Sequence, residues 1–136
     1  MQKSEASLPD ELLRRASVRG NEYAWRISDI PDVIEATKRA GMISIGGQLQ
    51  FRFPHGVTCE CYWIEIDTYK KVSADLPRNE VVNQSATEAL SAFEALKSQF
   101  DFVAEGRSNF KEIFQAFEAD GGDPEDAMCF VWYVEA

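Results

Sequence analysis

Three features of the chain predict an α+β fold. Alternating apolar residues flank a Pro54-His55-Gly56 turn, a helical stripe runs between residues 79 and 100, and the C-terminal end holds an unbroken apolar run from Met128 to Val134. Two strands joined by so tight a turn must run antiparallel. The expected architecture is a mainly antiparallel sheet of three to five strands with a central β-hairpin, packed by three to four helices. At 136 residues the chain fits a single globular domain, 1–136, and folding should bury roughly two thirds of its extended surface. Core material is ample, with 45% hydrophobic residues that include nine Phe and three Trp.

Residues 1–7 are polar and are expected to be flexible. Leu8 to Ala16 reads as a short helix capped by Ser7, with acids in its first turn and arginines in its last, as the helix dipole favours. Gly20-Asn21 breaks that pattern. Tyr23-Ala24-Trp25-Arg26-Ile27 then alternates like a short strand or an extended packing arm. A second helix starts at Ser28 or Asp29, carries Pro31 in its first turn, and shows Ile30, Val33, Ile34 and Thr37 on one face. Gly41 stops it.

The hairpin follows. Ile43, Ile45, Leu49, Phe51 and Phe53 share one parity, while Gln48, Gln50 and Arg52 take the other. Gly46-Gly47 between them predicts a bulge or a close backbone approach. Val57 to Asp67 runs back as the partner, with Cys59, Cys61 and Trp63 on one parity and Tyr62, Ile64 and Ile66 on the other. Apolar residues on both parities suit a central strand covered on both faces. Next comes the longest helix, Asn79 to Phe100, whose stripe Val82, Ala86, Ala89, Phe93, Leu96 and Phe100 steps by four and three. Its small Ala86 and Ala89 let it lie close to a sheet. Asp101 to Glu105 reads as a short edge strand. Asn109 with Glu112 forms a capping box for a helix through Phe117. An acidic, Gly-containing loop, Asp120 to Asp126, leads into an interior strand from Met128 to Glu135.

Charge is unevenly spread. Residues 101–136 hold nine acids against two bases, a net of −7 out of −9, whereas the first hundred hold 14 acids and 12 bases. Such a field repels nucleic acid and anionic membrane and attracts basic surfaces. No apolar run approaches the ~20 residues needed to span a bilayer. Met1-Gln-Lys-Ser-Glu-Ala-Ser has no apolar core of a signal peptide. With three cysteines read as free thiols, a cytoplasmic location is expected.

Chemistry is harder to find. His55, Cys59, Cys61 and Cys129 are the right types for zinc, but the C-x-C pair on a strand lacks knuckle spacing, and buried thiols account for all three cysteines. No metal or cofactor is expected. His55 is the only histidine and sits at a turn, so nothing places a base beside a Ser or Cys nucleophile. Neither Gly-Gly pair has the spacing or the following Lys-Ser/Thr of a phosphate loop. Two binding readings remain. In one, Glu118, Asp120, Asp123, Glu125 and Asp126 contact a partner protein with a basic surface, and Tyr23 and Trp25 beside Arg19 and Arg26 either form a second exposed patch or plug the sheet edge. In the other, Glu60, Tyr62, Glu65 and Asp67 on the second hairpin strand line a ligand or catalytic pocket between sheet and long helix. The first reading, a non-enzymatic one, is the stronger.

At Gly20-Asn-Glu-Tyr-Ala-Trp25, Gly46-Gly-Gln-Leu-Gln-Phe-Arg52 and Cys59-Glu-Cys-Tyr-Trp63 the chain resembles small bacterial proteins of uncharacterised function. The resemblance covers roughly residues 20 to 110 and implies no catalytic residues. In size, acidity and aromatic content the chain also resembles bacterial toxin-immunity proteins. That likeness implies a partner, a toxin with a basic active site that the protein covers.

Overall fold

The computed structural model describes residues 4–73 and 75–136. Five strands, β1 (Ser17–Arg19), β2 (Glu22–Trp25), β3 (Ile43–Arg52), β4 (Thr58–Asp67) and β5 (Met128–Glu135), form one sheet in the order β1-β2-β5-β3-β4 with every pairing antiparallel. Among the described residues six helices accompany it: α1 (Asp10–Arg15), α2 (Ile30–Arg39), α3 (Arg78–Gln99), α4 (Phe102–Asn109), α5 (Lys111–Ala119) and the single turn α6 (Pro124–Ala127). The fold is α+β.

The long stripe on α3 packs over β3 and against α2. Ala89 and Phe93 are wholly buried there, and the Phe93 ring meets Phe130 of β5 edge-on at 5.4 Å. The close approach of backbones inside the sheet is enforced at Gly47. A Cβ on that residue would lie 1.5 Å from the Val131 carbonyl oxygen, so only glycine fits between β3 and β5. At Gly46 the β3–β5 register shifts, which is the bulge the sequence implied.

Several expectations are corrected. β4 is an edge strand, not a central one. Its register against β3 jumps from Leu49↔Cys61 to Gln48↔Glu65, leaving Tyr62, Trp63 and Ile64 without partners. The jump changes the strand's phase. Cys59 and Cys61 before it and Ile64 and Ile66 after it therefore all turn into the same core, and the apolar residues on both parities need only one covered face. Asp101 to Glu105 is not a strand, since Asp101 caps α4 by accepting from the Ala104 N–H at 3.2 Å. Asn109 is the last residue of α4 and donates to the Glu105 carbonyl at 2.8 Å, so it is unavailable to cap α5. Ser7 does not cap α1 either. It closes a 3₁₀ turn, Glu5–Ser7, that packs on β5, and Pro9 stands at the α1 N-cap. Of the residues 1–7 expected to be flexible, residues 1–3 lie outside the described residues.

The sheet is rolled. Arg19, on the β1 edge, donates to the carbonyl oxygens of Phe53 and Val57, which flank the turn leading into β4 at the opposite edge. The convex face carries the main core under α2 and α3. The concave face holds a smaller cluster of Ala24, Cys129 and Val131 with Tyr133 beside it.

Candidate functional site

The acidic C-terminal stretch meets the hairpin turn across α5. Phe114 of this helix is fully buried, edge-on to Phe51 at 4.9 Å and to Phe53 at 5.2 Å, and Phe117 meets Phe53 at 4.8 Å. These rings fix α5 beside the turn 54–56. The helix then stops at Gly121 (φ 89°), where the Gly121 N–H bonds the Glu118 carbonyl and the Gly122 N–H bonds that of Phe117. This is a Schellman closure, which needs a left-handed residue after the last helical turn. Its effect is to fold Asp120-Gly121-Gly122 across one end of a groove of about 540 Å³. Phe53, Pro54 and Val57 wall the groove on one side, Ile113 and Phe117 on the other. Val57 and Ile113 leave 39% and 37% of their surface exposed, so the walls are largely apolar and open to solvent.

The five predicted acids differ in their commitments. Glu118 is held by a two-pronged contact from Arg107, at 3.2 and 3.0 Å. Asp123 caps α6 by accepting from the Glu125 N–H at 3.0 Å, and Asp126 lies 3.9 Å from Arg26. Asp120 and Glu125 carry carboxylates with no hydrogen bond or ion pair among the described residues, and both are exposed. Asp120 stands on the groove rim. The sequence identified the acids but missed Val57, Ile113 and Phe117. The available signal was an apolar residue directly after the Gly56 turn, facing a helix whose phenylalanines exceed what one buried stripe needs.

Tyr23 and Trp25 are not an exposed patch. Trp25 is 1% exposed, stacks on half-buried Tyr23 at 6.2 Å, and donates its indole N–H to the Leu12 carbonyl at 2.8 Å. The pair anchors α1 to the sheet at β2, which is not an edge strand.

The four side chains of the alternative pocket do not converge. The register jump separates Glu60 and Tyr62 from Glu65 and Asp67. Glu65 and Asp67 border a groove between β4 and α3 together with Lys70, Lys71 and Glu88. Glu60 instead accepts from Gln50 Nε2 at 3.4 Å, and Tyr62 is 68% exposed. Asp67 is occupied by the Tyr69 N–H at 3.0 Å.

All three cysteines are free and buried. Cys59 and Cys61 face the main core and Cys129 the concave side, so the three thiols cannot meet on one ion. Burial pushes the Cys61 thiol up to about 12 and that of Cys129 to about 11. Both are therefore protonated near neutrality and poor nucleophiles. No group of three metal-ligating side chains gathers among the described residues, and no described helix is long and apolar enough to cross a membrane. No family model matches the chain, and neither a curated protein nor a solved structure matches it.

Proposed function

We propose that the protein is a non-enzymatic, cytoplasmic binding module that docks a partner protein with a basic surface through the groove between the hairpin turn and α5. The observation that carries this reading is the pairing of an open, largely apolar groove with the uncommitted Asp120 carboxylate at its rim. Interfaces draw most of their affinity from a few buried anchor side chains, and the groove supplies a seat for one. Surrounding charge contributes mainly association rate and specificity. Asp120, Glu125 and the neighbouring acids would attract a basic surface, while the same field disfavours nucleic acid. In its narrowest form, the proposal is an immunity-type inhibitor that covers the basic active site of a toxin, such as a nuclease.

The test begins with capture of basic partners on the immobilised protein, followed by association kinetics. A variant carrying Asp120→Asn, Asp123→Asn, Glu125→Gln and Asp126→Asn keeps a capping side chain at 123 and should fold normally. At low salt its on-rate should fall by roughly tenfold or more. The deficit should vanish near 1 M salt, where the Debye length shrinks to about 3 Å. Ile113→Asp, placed in the groove wall, should raise the off-rate. An unchanged low-salt on-rate would reject the acidic rim as the steering surface, and an unchanged off-rate would reject the groove as the seat.

A further inference from the structure

The C-terminal end of α5 carries charge of the wrong sign for a helix terminus. The helix dipole places partial negative charge there and favours cations. Yet the last turn holds no base, and Glu118 within it and Asp120 at the C-cap add carboxylates. Arg107 answers only the first of these, through its two bonds to Glu118. Asp120 stays exposed, with a carboxylate free of contacts among the described residues.

Main-chain acceptors reinforce this negative end. The N–H groups of Asp120, Gly121 and Gly122 all close back onto α5, while their carbonyl oxygens accept no hydrogen bond among the described residues. All three residues border the groove. The walls are of a different chemistry, with Phe53, Val57, Ile113 and Phe117 supplying apolar surface. His55, exposed on the turn, is the one side chain of that lining able to carry positive charge. An apolar groove thus ends in a set of acceptors that lacks a donor.

We infer that the groove receives an arginine side chain of the partner, its stem against Val57 and Ile113 and its guanidinium at the Asp120 end. The inference rests on the groove reading proposed above and names the anchor that fills it. Acceptors on both a carboxylate and the main chain call for a donor with several N–H groups in fixed directions. A guanidinium offers five in a planar fork. It is also weakly hydrated, so it gives up water readily beside an apolar wall. An ammonium is a compact, strongly hydrated point charge and suits the same place less well. The methylene stem of arginine covers apolar surface while its head stays at the polar rim.

The probes are three capped tripeptides, acetyl-Gly-Arg-Gly-amide and its lysine and norleucine counterparts. Each is titrated into the isotope-labelled whole chain at physiological salt, and the amide resonances of Val57, Gly121 and Gly122 are followed. The arginine peptide should shift all three saturably. The lysine peptide should bind at least about fivefold more weakly, and the norleucine peptide should give no saturable shift. Asp120→Asn keeps the shape of an exposed, uncommitted side chain, so the fold should stand. It should weaken the arginine peptide about tenfold, because a charge-assisted bond becomes a neutral one. Glu112→Gln removes one charge from the same helix outside the groove lining. That charge is roughly 12 Å away along the axis, beyond a Debye length of about 8 Å, so affinity should hold within about twofold. The arginine assignment is overturned if the arginine peptide gives no saturable shift, if either other peptide binds equally well, or if the two variants lose affinity equally. Should it fall while Ile113→Asp still raises the off-rate of the captured partner, the groove seats a different side chain. Should both fail, the groove reading falls as well.

Discussion

Phe93→Ala tests the packing of the main core directly. The ring lies midway along α3, wholly buried, edge-on to Phe130, with Lys97 Nζ 5.5 Å from its centroid. Its neighbours on the same stripe are Ala86 and Ala89, whose side chains are too short to move into the vacated space. The backbone beneath belongs to interior strands. The cavity therefore stays largely open, and the loss should fall in the range of about 3–5 kcal/mol seen for buried Phe→Ala changes. About 0.5–1.5 kcal/mol of that is the edge-on contact with Phe130. With a urea slope of about 1–3 kcal/mol/M for small proteins, the unfolding midpoint should drop by about 2 M. Leu90→Ala is the matched control, on the same helix but 40% exposed, and should cost under about 1 kcal/mol. Both variants are read by urea unfolding with tryptophan fluorescence. A Phe93→Ala midpoint within about 0.3 M of wild type, or a larger loss for Leu90→Ala, would refute the assignment of the buried face.

Two further outcomes follow from backbone geometry and thiol burial. Gly47→Ala should prevent folding at 25 °C, as judged by circular dichroism, because the new Cβ would collide with the Val131 backbone. Gly121→Ala meets open space and only a left-handed φ, so it should cost no more than about 1–2 kcal/mol. The folded Cys61 pKa of about 12 exceeds the unfolded value of about 8.5, so above the lower figure unfolding releases a proton. The contribution is intact below pH ~8.5 and is lost as pH rises towards the folded value. Urea midpoints measured from neutral pH to about 10.5 should fall less steeply in Cys61→Ala than in wild type.

Elements with a local period were legible in the sequence. The α3 stripe, the turn at 54–56, the stop at Gly41 and the interior run of β5 each depend on spacing within one segment. What escaped detection depends on distant chain. The register jump at Tyr62–Ile64 is set by pairing with β3 and reverses the strand's phase, which made an edge strand read as a central one. Phe102 and Val103 resemble a strand fragment until Asp101 caps them and Gly106 seats against Phe51 and Phe114. For Trp25 the sequence left an exposed patch and a packing role both open, because its partner, the Leu12 carbonyl, belongs to another element. Gln50 and Arg52 take the polar parity of β3, and rolling of the sheet buries both, which no local period shows. A hint was present in β5, whose unbroken apolar run requires cover on its second face. Neighbouring β3 shares that cover.

The jump in β4 also bears on how these molecules behave together at high concentration. An edge strand presents a row of open N–H and C=O groups that a second chain can extend, the first step towards fibrils. Here the row is interrupted by three residues that leave the pleat, and the straight portions on either side display Glu60, Glu65 and Asp67. An identical strand laid alongside would have to reproduce the kink and bring carboxylates near carboxylates. The other edge of the sheet, β1, is three residues long and is tied down through Arg19. A protein with nine phenylalanines and three tryptophans therefore offers, among its described residues, no long, straight edge on which a second copy could start a fibril.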